Sequence, residues 1–206
     1  RIVVRGVAKL RGVAHRVAGD RIEAGTLLLA GSVTRGDVTV RGVDPAHMAS
    51  VLEKLRAAGA EVDAGPDFVR ARTAGPLRGI QVVTAPIPGF PTDMQAQFMA
   101  ALTVAEGSSL VTETVFENRF MHVPELQRLG ADITLAGRSA HVRGVPRLSG
   151  APVMAPGLRA SAGLLVAGLA AEGETTVNRV YHIDRGYERI EQKLSRLGAN
   201  IRRERG

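Results

Sequence analysis

Hydrophobic and polar positions follow the same order three times along this chain. The first series begins near Arg21, where Glu23 and Thr26 precede an apolar run from Leu27 to Ala30 that stops at Gly31 and predicts a helix. A turn at Arg35-Gly36-Asp37 leads into Val38-Thr39-Val40-Arg41-Gly42-Val43, whose alternation predicts a strand. Asp44-Pro45 then opens a second helix, because Asp accepts from free helix N–H groups and Pro fits a first turn. That helix spans Ala46 to Ala58, ends at Gly59, and passes into the strand Ala60-Glu61-Val62.

The second series starts with Pro91-Thr92-Asp93 as the cap of a helix over 94–105, which closes at Glu106-Gly107. A strand over 109–114, an Asn118-Arg119 turn and a helix over 123–129 with Pro124 in its first turn follow. The third series has a helix over 159–171, closed by Glu172-Gly173, a strand over 175–180, a loop over 181–186 and a helix over 187–197. Residues 1–17 stand outside the series. They read as an edge hairpin of Arg1–Val4 with Gly12–Val17.

The glycines fix the period. Gly59, Gly130 and Gly198 end the second helix of each series at intervals of 71 and 68 residues, while Gly36, Gly107 and Gly173 follow the first at 71 and 66. Repetition at a fixed period means units that bury their apolar faces on one another. The expected units span about 18–75, 80–145 and 150–206 of a single domain. Polar capping units, which an open solenoid needs, are missing, so a closed globule with a pseudo-threefold axis is expected, helices inside and sheets outside.

Composition narrows the function. Hydrophobic residues make up 45% and aromatic ones 3%, so the core must be built from Val, Leu, Ile and Ala. Net charge is +7, and only Lys9, Lys54 and Lys193 of the 27 basic residues are lysines. Arginine grips carboxylate and phosphate in two-pronged fashion, which favours an anionic ligand. A nucleic-acid surface would also explain the charge, but the arginines are scattered and no aromatic stacking set accompanies them. With no cysteine, disulfides, thiolate metal sites and a cysteine nucleophile are excluded within this chain. His15, His122 and His182 do not share metal-ligand spacing. No apolar run nears the roughly 20 residues that span a bilayer, and no signal peptide is present. The chain, which does not begin with Met, reads as a piece of a soluble cytoplasmic protein.

Chemistry-bearing residues gather at strand-to-helix junctions. Glu113, Glu117, Arg119 and His122 crowd the junction in 113–131. Free helix N–H groups and a cationic side chain there suit an anion or a sugar, against the plainer reading of a solvated surface turn. Arg119, Arg159 and Arg185 occupy related junctions. Taken singly each is a surface charge, but a threefold arrangement would bring them together around a carboxylate-plus-phosphate substrate.

Three strings carry a resemblance: Phe90-Pro91-Thr92-Asp93-Met94-Gln95-Ala96-Gln97, the stretch 113–131, and Tyr181-His182-Ile183-Asp184-Arg185-Gly186-Tyr187-Glu188-Arg189-Ile190-Glu191. Together they closely resemble the UDP-N-acetylglucosamine enolpyruvyl transferases, in the right order and over nearly the whole chain, but over only about half of that family's protein. The resemblance implies one domain, the C-terminal one, of an inside-out α/β barrel, built of three βαβαββ-type units. It implies transfer of the enolpyruvyl group of phosphoenolpyruvate to the 3′-hydroxyl of UDP-N-acetylglucosamine, the first committed step of peptidoglycan synthesis, with no metal or organic cofactor. It implies catalytic roles for Asp93 and Arg185, with Asp93 against the sugar hydroxyl and Arg159 and Arg185 on the phosphoenolpyruvate side. Val115 matches a position whose backbone meets the UDP-sugar, and Arg119 a substrate or domain-closure contact. Glu188 and Arg189 read as a solvated helix face, and His122 and His182 as structural.

One position departs from the family. Where the family has an acid before Leu-Arg-Ala-Ser, this chain has Gly157. The family's Cys- or Asp-bearing loop, its N-terminal lysine and most uridine contacts belong to the missing N-terminal domain. The isolated chain is therefore expected to be inactive, since a site between two domains needs both walls. The competing readings are a stand-alone scaffold that self-associates through its exposed interdomain face, and the sister branch acting on shikimate 3-phosphate. Neither nucleic acid nor membrane is an expected partner.

Overall fold

A computed structural model describes residues 1–204. The first third runs α1 (Arg21–Val33), β1 (Asp37–Arg41), a 3₁₀ turn over Pro45–Met48, α2 (Ala49–Ala57), β2 (Glu61–Gly65), β3 (Phe68–Arg72) and β4 (Gln81–Val83). Next come a 3₁₀ turn over Thr92–Met94, α3 (Gln95–Leu102), β5 (Ser108–Thr112), α4 (Val123–Arg128), β6 (Asp132–Ala136), β7 (Ser139–Arg143), β8 (Leu148–Ser149) and β9 (Pro152–Met154). The last third is α5 (Leu158–Ala170), β10 (Ala171–Glu172), β11 (Thr176–Asn178), a 3₁₀ turn over Val180–Arg185 and α6 (Ile190–Arg196).

Helices that are apolar all round have to be buried, and three are. All eight residues of α3 are buried, and most of α1 and α5 are too. The three pack on one another at the centre. Small residues let them close up: a Cβ added at Gly163 of α5 would lie 2.8 Å from the Ala96 carbonyl oxygen of α3. One polar knot ties them together. Gln97 Nε2 of α3 donates to the Tyr187 hydroxyl at 3.1 Å, and that hydroxyl lies 3.0 Å from Thr26 Oγ1 of α1. The outer helices α2, α4 and α6 bury one face only.

The sheets lie around this core. β1, β3 and β2 form one antiparallel sheet in that order; β4, β5, β7 and β6 form a second, in which β4 runs parallel to β5. β9 pairs parallel with β11, and β8 with β10. So β4-α3-β5 and β9-α5-β11 are both strand–helix–strand units that place the starts of α3 and α5 beside the strand ends. Asp44 caps the turn over Pro45–Met48, its Oδ1 accepting from Ala46 N–H at 2.9 Å.

Two expectations need correcting. Residues 1–20 form no strand, make no hydrogen bond among the described residues before Asp20, and are exposed throughout. Alternation marks a segment able to be a strand, but a strand also needs a partner edge, and 1–4 and 12–17 do not supply one to each other. Asp93 is not a helix cap either. Pro91 and Met94 stand at the two cap positions there, and neither makes a side-chain capping bond.

Candidate functional site

The Asp93 carboxylate is held by two guanidiniums instead. Its Oδ1 accepts from Arg119 Nη2 at 2.7 Å and its Oδ2 lies 3.4 Å from Arg159 Nη2. Arg119 comes from the loop after β5, and Arg159 from the first turn of α5. Arg119 also stacks over the Phe116 ring at 4.8 Å, and Arg159 lies 5.6 Å from the Tyr187 ring centroid. A local capping interaction contributes about 1 kcal/mol, and two charge-assisted partners outcompete it.

Behind this cluster sits Glu113, 1% exposed. Its Oε1 accepts from Thr84 Oγ1 at 2.8 Å and from the N–H groups of Val115 and Phe116 at 2.9 and 3.0 Å. Its Oε2 accepts from Thr92 Oγ1 at 2.7 Å. Burial pushes the Glu113 carboxyl up, but the donors from Thr92, Phe116, Thr84 and Val115 together outweigh it and hold the group below the ordinary 4.5. Thr92 Oγ1 in turn accepts from Arg119 Nη1 at 2.9 Å, so a chain of bonds runs Glu113–Thr92–Arg119–Asp93. The turn that the sequence marks at Asn118 is real, with φ of 53° there.

His122 stands at the N-cap position of α4, three residues after Arg119. It is buried, its Nε2 has no hydrogen-bond partner among the described residues, and burial together with the Arg119 charge holds its pKa down at about 4. It is a neutral structural residue at physiological pH. His182 is half-buried against Tyr181, ring centroids 4.3 Å apart. Among the described residues no group of three His, Asp or Glu is placed to hold a metal.

The N-terminus of α5 is the opposite case. Its N-cap is Gly157, with no side-chain bond, and no acid lies in the first turn. Arg159 Nη1 is buried and has no acceptor among the described residues. Helix N–H groups and a guanidinium thus lie at one helix start, the guanidinium with only a distant hold on Asp93 and one nitrogen left without an acceptor, an arrangement that suits phosphate or carboxylate. Gly157 itself is extended at φ 169°, and an added Cβ would meet nothing within 4 Å.

Of the site residues expected from sequence, Asp93, Arg119 and Arg159 are therefore brought into contact. Val115 is exposed on the same loop, and its N–H is spent on Glu113, which leaves its carbonyl. Arg185 lies exposed at the end of the 3₁₀ turn before Tyr187 and does not join the cluster. Glu188 and Arg189 are exposed, but they precede α6 and are not on its face. Sequence marks Glu113 only as one of the charges crowding its junction, and Thr92 only as part of the 91–93 cap string. The one signal for Glu113 is an acid between two threonines at the end of a strand, which reads equally as surface.

Comparison with known proteins decides the lineage. The model of the EPSP synthase family (3-phosphoshikimate 1-carboxyvinyltransferase) matches residues 1–194. The chain belongs to that family. Within it, the chain is 62% identical over 204 residues to a UDP-N-acetylglucosamine 1-carboxyvinyltransferase of Anaeromyxobacter sp. (strain Fw109-5), covering 99% of this chain and 48% of that protein. It is 57% identical over 203 residues to the Magnetococcus marinus enzyme of the same name, again covering 48% of it. The chain spans about half the length of the curated relatives it matches. Among solved structures, the enolpyruvyl transferase NikO from Streptomyces tendae superposes with TM-score 0.80 at 34% identity, over 90% of this chain and 44% of that one. EPSP synthase from Acinetobacter baumannii superposes at TM-score 0.75 and 19% identity, over 92% and 48%, a likeness of fold. The expected α/β enolpyruvyl-transferase fold is the observed one. No described helix is long and apolar enough to cross a membrane.

Proposed function

We propose that this chain is one domain of three units, about 18–75, 80–145 and 150–206, and supplies one wall of a UDP-N-acetylglucosamine enolpyruvyl transferase site. The observation that carries this reading is the Asp93 carboxylate shared by Arg119 and Arg159 at the start of α5, with Arg159 Nη1 left without an acceptor. The names of the 57–62% identical relatives favour the UDP-sugar over shikimate 3-phosphate as acceptor.

In this reading Arg159 and the α5 N-terminus take the anionic groups of phosphoenolpyruvate, and Arg185 swings in from its exposed turn as the second wall closes. Asp93, already engaged on both oxygens, orients the sugar 3′-hydroxyl by accepting its hydrogen bond; to take its proton it would have to release a guanidinium. The Val115 carbonyl faces the sugar. Attack of the hydroxyl oxygen on C2 of phosphoenolpyruvate, with its own proton given up to solvent and a proton added at C3, forms a tetrahedral adduct. Breaking the C2–O bond to phosphate with loss of one proton from the C3 methyl gives the enol ether, so the net proton of the hydroxyl leaves with the phosphate. Arginine charge on the departing phosphate stabilises both steps. The reaction would serve cytoplasmic peptidoglycan synthesis.

The partner would be a domain like the one that makes up the other half of the relatives' length. Ile87, Phe116, Met121 and Tyr181 are exposed large apolar side chains on loops that follow β4, β5 and β11, the kind of surface a second wall covers. The isolated chain is expected to release no phosphate from the two substrates. Mixed with the N-terminal domain of a close relative, it should. Phosphate from the chain alone would refute the half-site reading, and none from the mixture, with both parts folded by circular dichroism, would favour a scaffold that does not catalyse.

A further inference from the structure

One buried side chain meets all three central helices. Tyr187, 1% exposed, packs in a small apolar cluster with Leu27 and Ala30 of α1, Ala162 of α5, and Ile183, Ile190 and Leu194 of its own segment. That cluster stands apart from the main core, to which α1, α3 and α5 give their other buried residues. The donors set the direction of the bonds at the Tyr187 hydroxyl. Thr26 Oγ1 donates its proton to the Ile22 carbonyl at 2.8 Å, so towards Tyr187, 3.0 Å away, it accepts and the phenol donates. The phenol oxygen accepts in turn from Gln97 Nε2 at 3.1 Å.

The same amide reaches the candidate site. Gln97 Nε2 donates its other N–H to the Asp93 carbonyl at 2.9 Å; Thr26 Oγ1 lies 3.2 Å away as well, but the two N–H groups are matched by the two shorter contacts. A one-way line of bonds thus runs from Gln97, held on the Asp93 backbone, through Tyr187 and Thr26 to the Ile22 carbonyl. A second contact leads from Tyr187 to Arg159, whose guanidinium carbon lies 5.6 Å from the ring centroid. Burial holds the phenol above its ordinary 10 despite the pull of Thr26, the Arg159 charge and Gln97, so it keeps the proton it donates. The turn over Val180–Arg185 is pressed on the same place. A Cβ on Gly186 would come 3.0 Å from Leu158 Cδ2 and 3.5 Å from Arg159 Nη1, and Arg185 is the residue before it.

We propose that Tyr187 is a positioning residue for the candidate site. Its hydroxyl fixes the Asp93 backbone through Gln97, its ring backs the Arg159 guanidinium, and its place after Gly186 ties the Arg185 turn to both. This rests on the reading of Asp93 and Arg159 as site residues. Apolar packing is non-directional and lets a ring slide or turn, whereas one bond donated and one accepted fix its depth and rotation. A site gains from that rigidity, since a displacement of about 1 Å can cost about a hundredfold in rate. The competing account is that the bonds only satisfy buried polar groups, and then the hydroxyl matters to stability alone.

Tyr187→Phe deletes the hydroxyl and keeps the ring. In the 206-residue chain, the Arg159 Nε–Hε resonance, assigned by its loss in Arg159→Lys, should move towards those of the exposed arginines. Thr26→Val, which removes the acceptor on the far helix, should move it likewise, and Thr26→Ser, which keeps the acceptor, should leave it at the parent position. Leu194→Ala loosens the same cluster without touching the hydroxyl, so it should lower the urea midpoint and leave the resonance in place. In the mixture with the N-terminal domain of a close relative, Tyr187→Phe should lower kcat about tenfold and Leu194→Ala should not. A resonance unmoved in folded Tyr187→Phe, or moved as far by Leu194→Ala, would overturn the proposal and leave the bonds a packing device. So would a kcat unchanged in Tyr187→Phe. Should Tyr187→Phe not fold, Thr26→Val puts the same question to a chain with Tyr187 intact. If the parent mixture releases no phosphate, the catalytic reading fails, and the resonance still decides whether Tyr187 holds Arg159.

Discussion

The loop after β5 and the start of α5 sit on either side of Asp93 and treat charge in opposite ways. Around Glu113 the anion is complete, with two hydroxyls and two backbone N–H groups on its two oxygens. Around Arg159 the cation is incomplete, with a distant grip on Asp93 and a buried Nη1 that has no acceptor. A buried polar group left unpaired costs about 1–3 kcal/mol, more when charged. The first region is thus finished by folding, and the second is finished only by an anion.

The strongest way to break this contrast is to remove the buried anion. Glu113→Ala strands two hydroxyls and two amides and cuts Thr92 loose from Arg119, and is expected to cost about 4 kcal/mol in urea unfolding. Glu113→Gln should recover part of this, since one amide oxygen still accepts. If Glu113→Ala unfolds like the parent chain, the loop is not organised by its carboxylate. Because the folded-state pKa is depressed, this contribution is present above the ordinary 4.5 and is lost as pH falls below it.

A second, separable acid effect comes from His122. Its folded pKa of about 4 lies below the ordinary 6.5, so the unfolded chain binds the extra proton between these values. Stability should therefore fall as pH drops from 6.5 towards 4, by roughly 3 kcal/mol in all. His122→Leu should flatten that window and leave the Glu113 loss below 4.5 in place. Unfolding midpoints measured across pH 3.5–7.5 separate the two, and a slope unchanged in His122→Leu would assign the window to another group.

These residues also mark how far the sequence could be read. Glycine spacing gave the three-part organisation because a helix stop is a local backbone event, and Gly59, Gly130 and Gly198 all adopt positive φ in the structure. The three central helices were legible for a similar reason, their apolar residues running all round. What failed were statements about partners. Asp93 followed a local capping rule until guanidiniums 26 and 66 residues away took its oxygens. The alternation in 1–17 named a strand, but residues 1–20 form none. Glu113 looked like surface charge because the threonine that anchors it, Thr84, lies 29 residues earlier on another strand's end. Arg119 and Arg159 met at Asp93, whereas Arg185 stands apart, exposed at the end of its 3₁₀ turn.

The smallest change sharpens the contrast from the other side. Gly157→Asp puts an anion at the start of α5, where the backbone is extended at 169° and open space receives the Cβ. As an N-cap it should add about 1 kcal/mol, helped by the positive end of the helix. It also offers Arg159 the acceptor it lacks, so the carboxylate would partly finish in the folded chain what a ligand otherwise finishes. A higher urea midpoint for Gly157→Asp is the expected result; a lower one would mean that repulsion from Asp93 outweighs the cap. The same variant in the mixture with the N-terminal domain tells whether turnover needs that acid. Phosphate released by Gly157→Asp but not by the parent chain would place the defect at residue 157, and equal release would make the glycine a tolerated change.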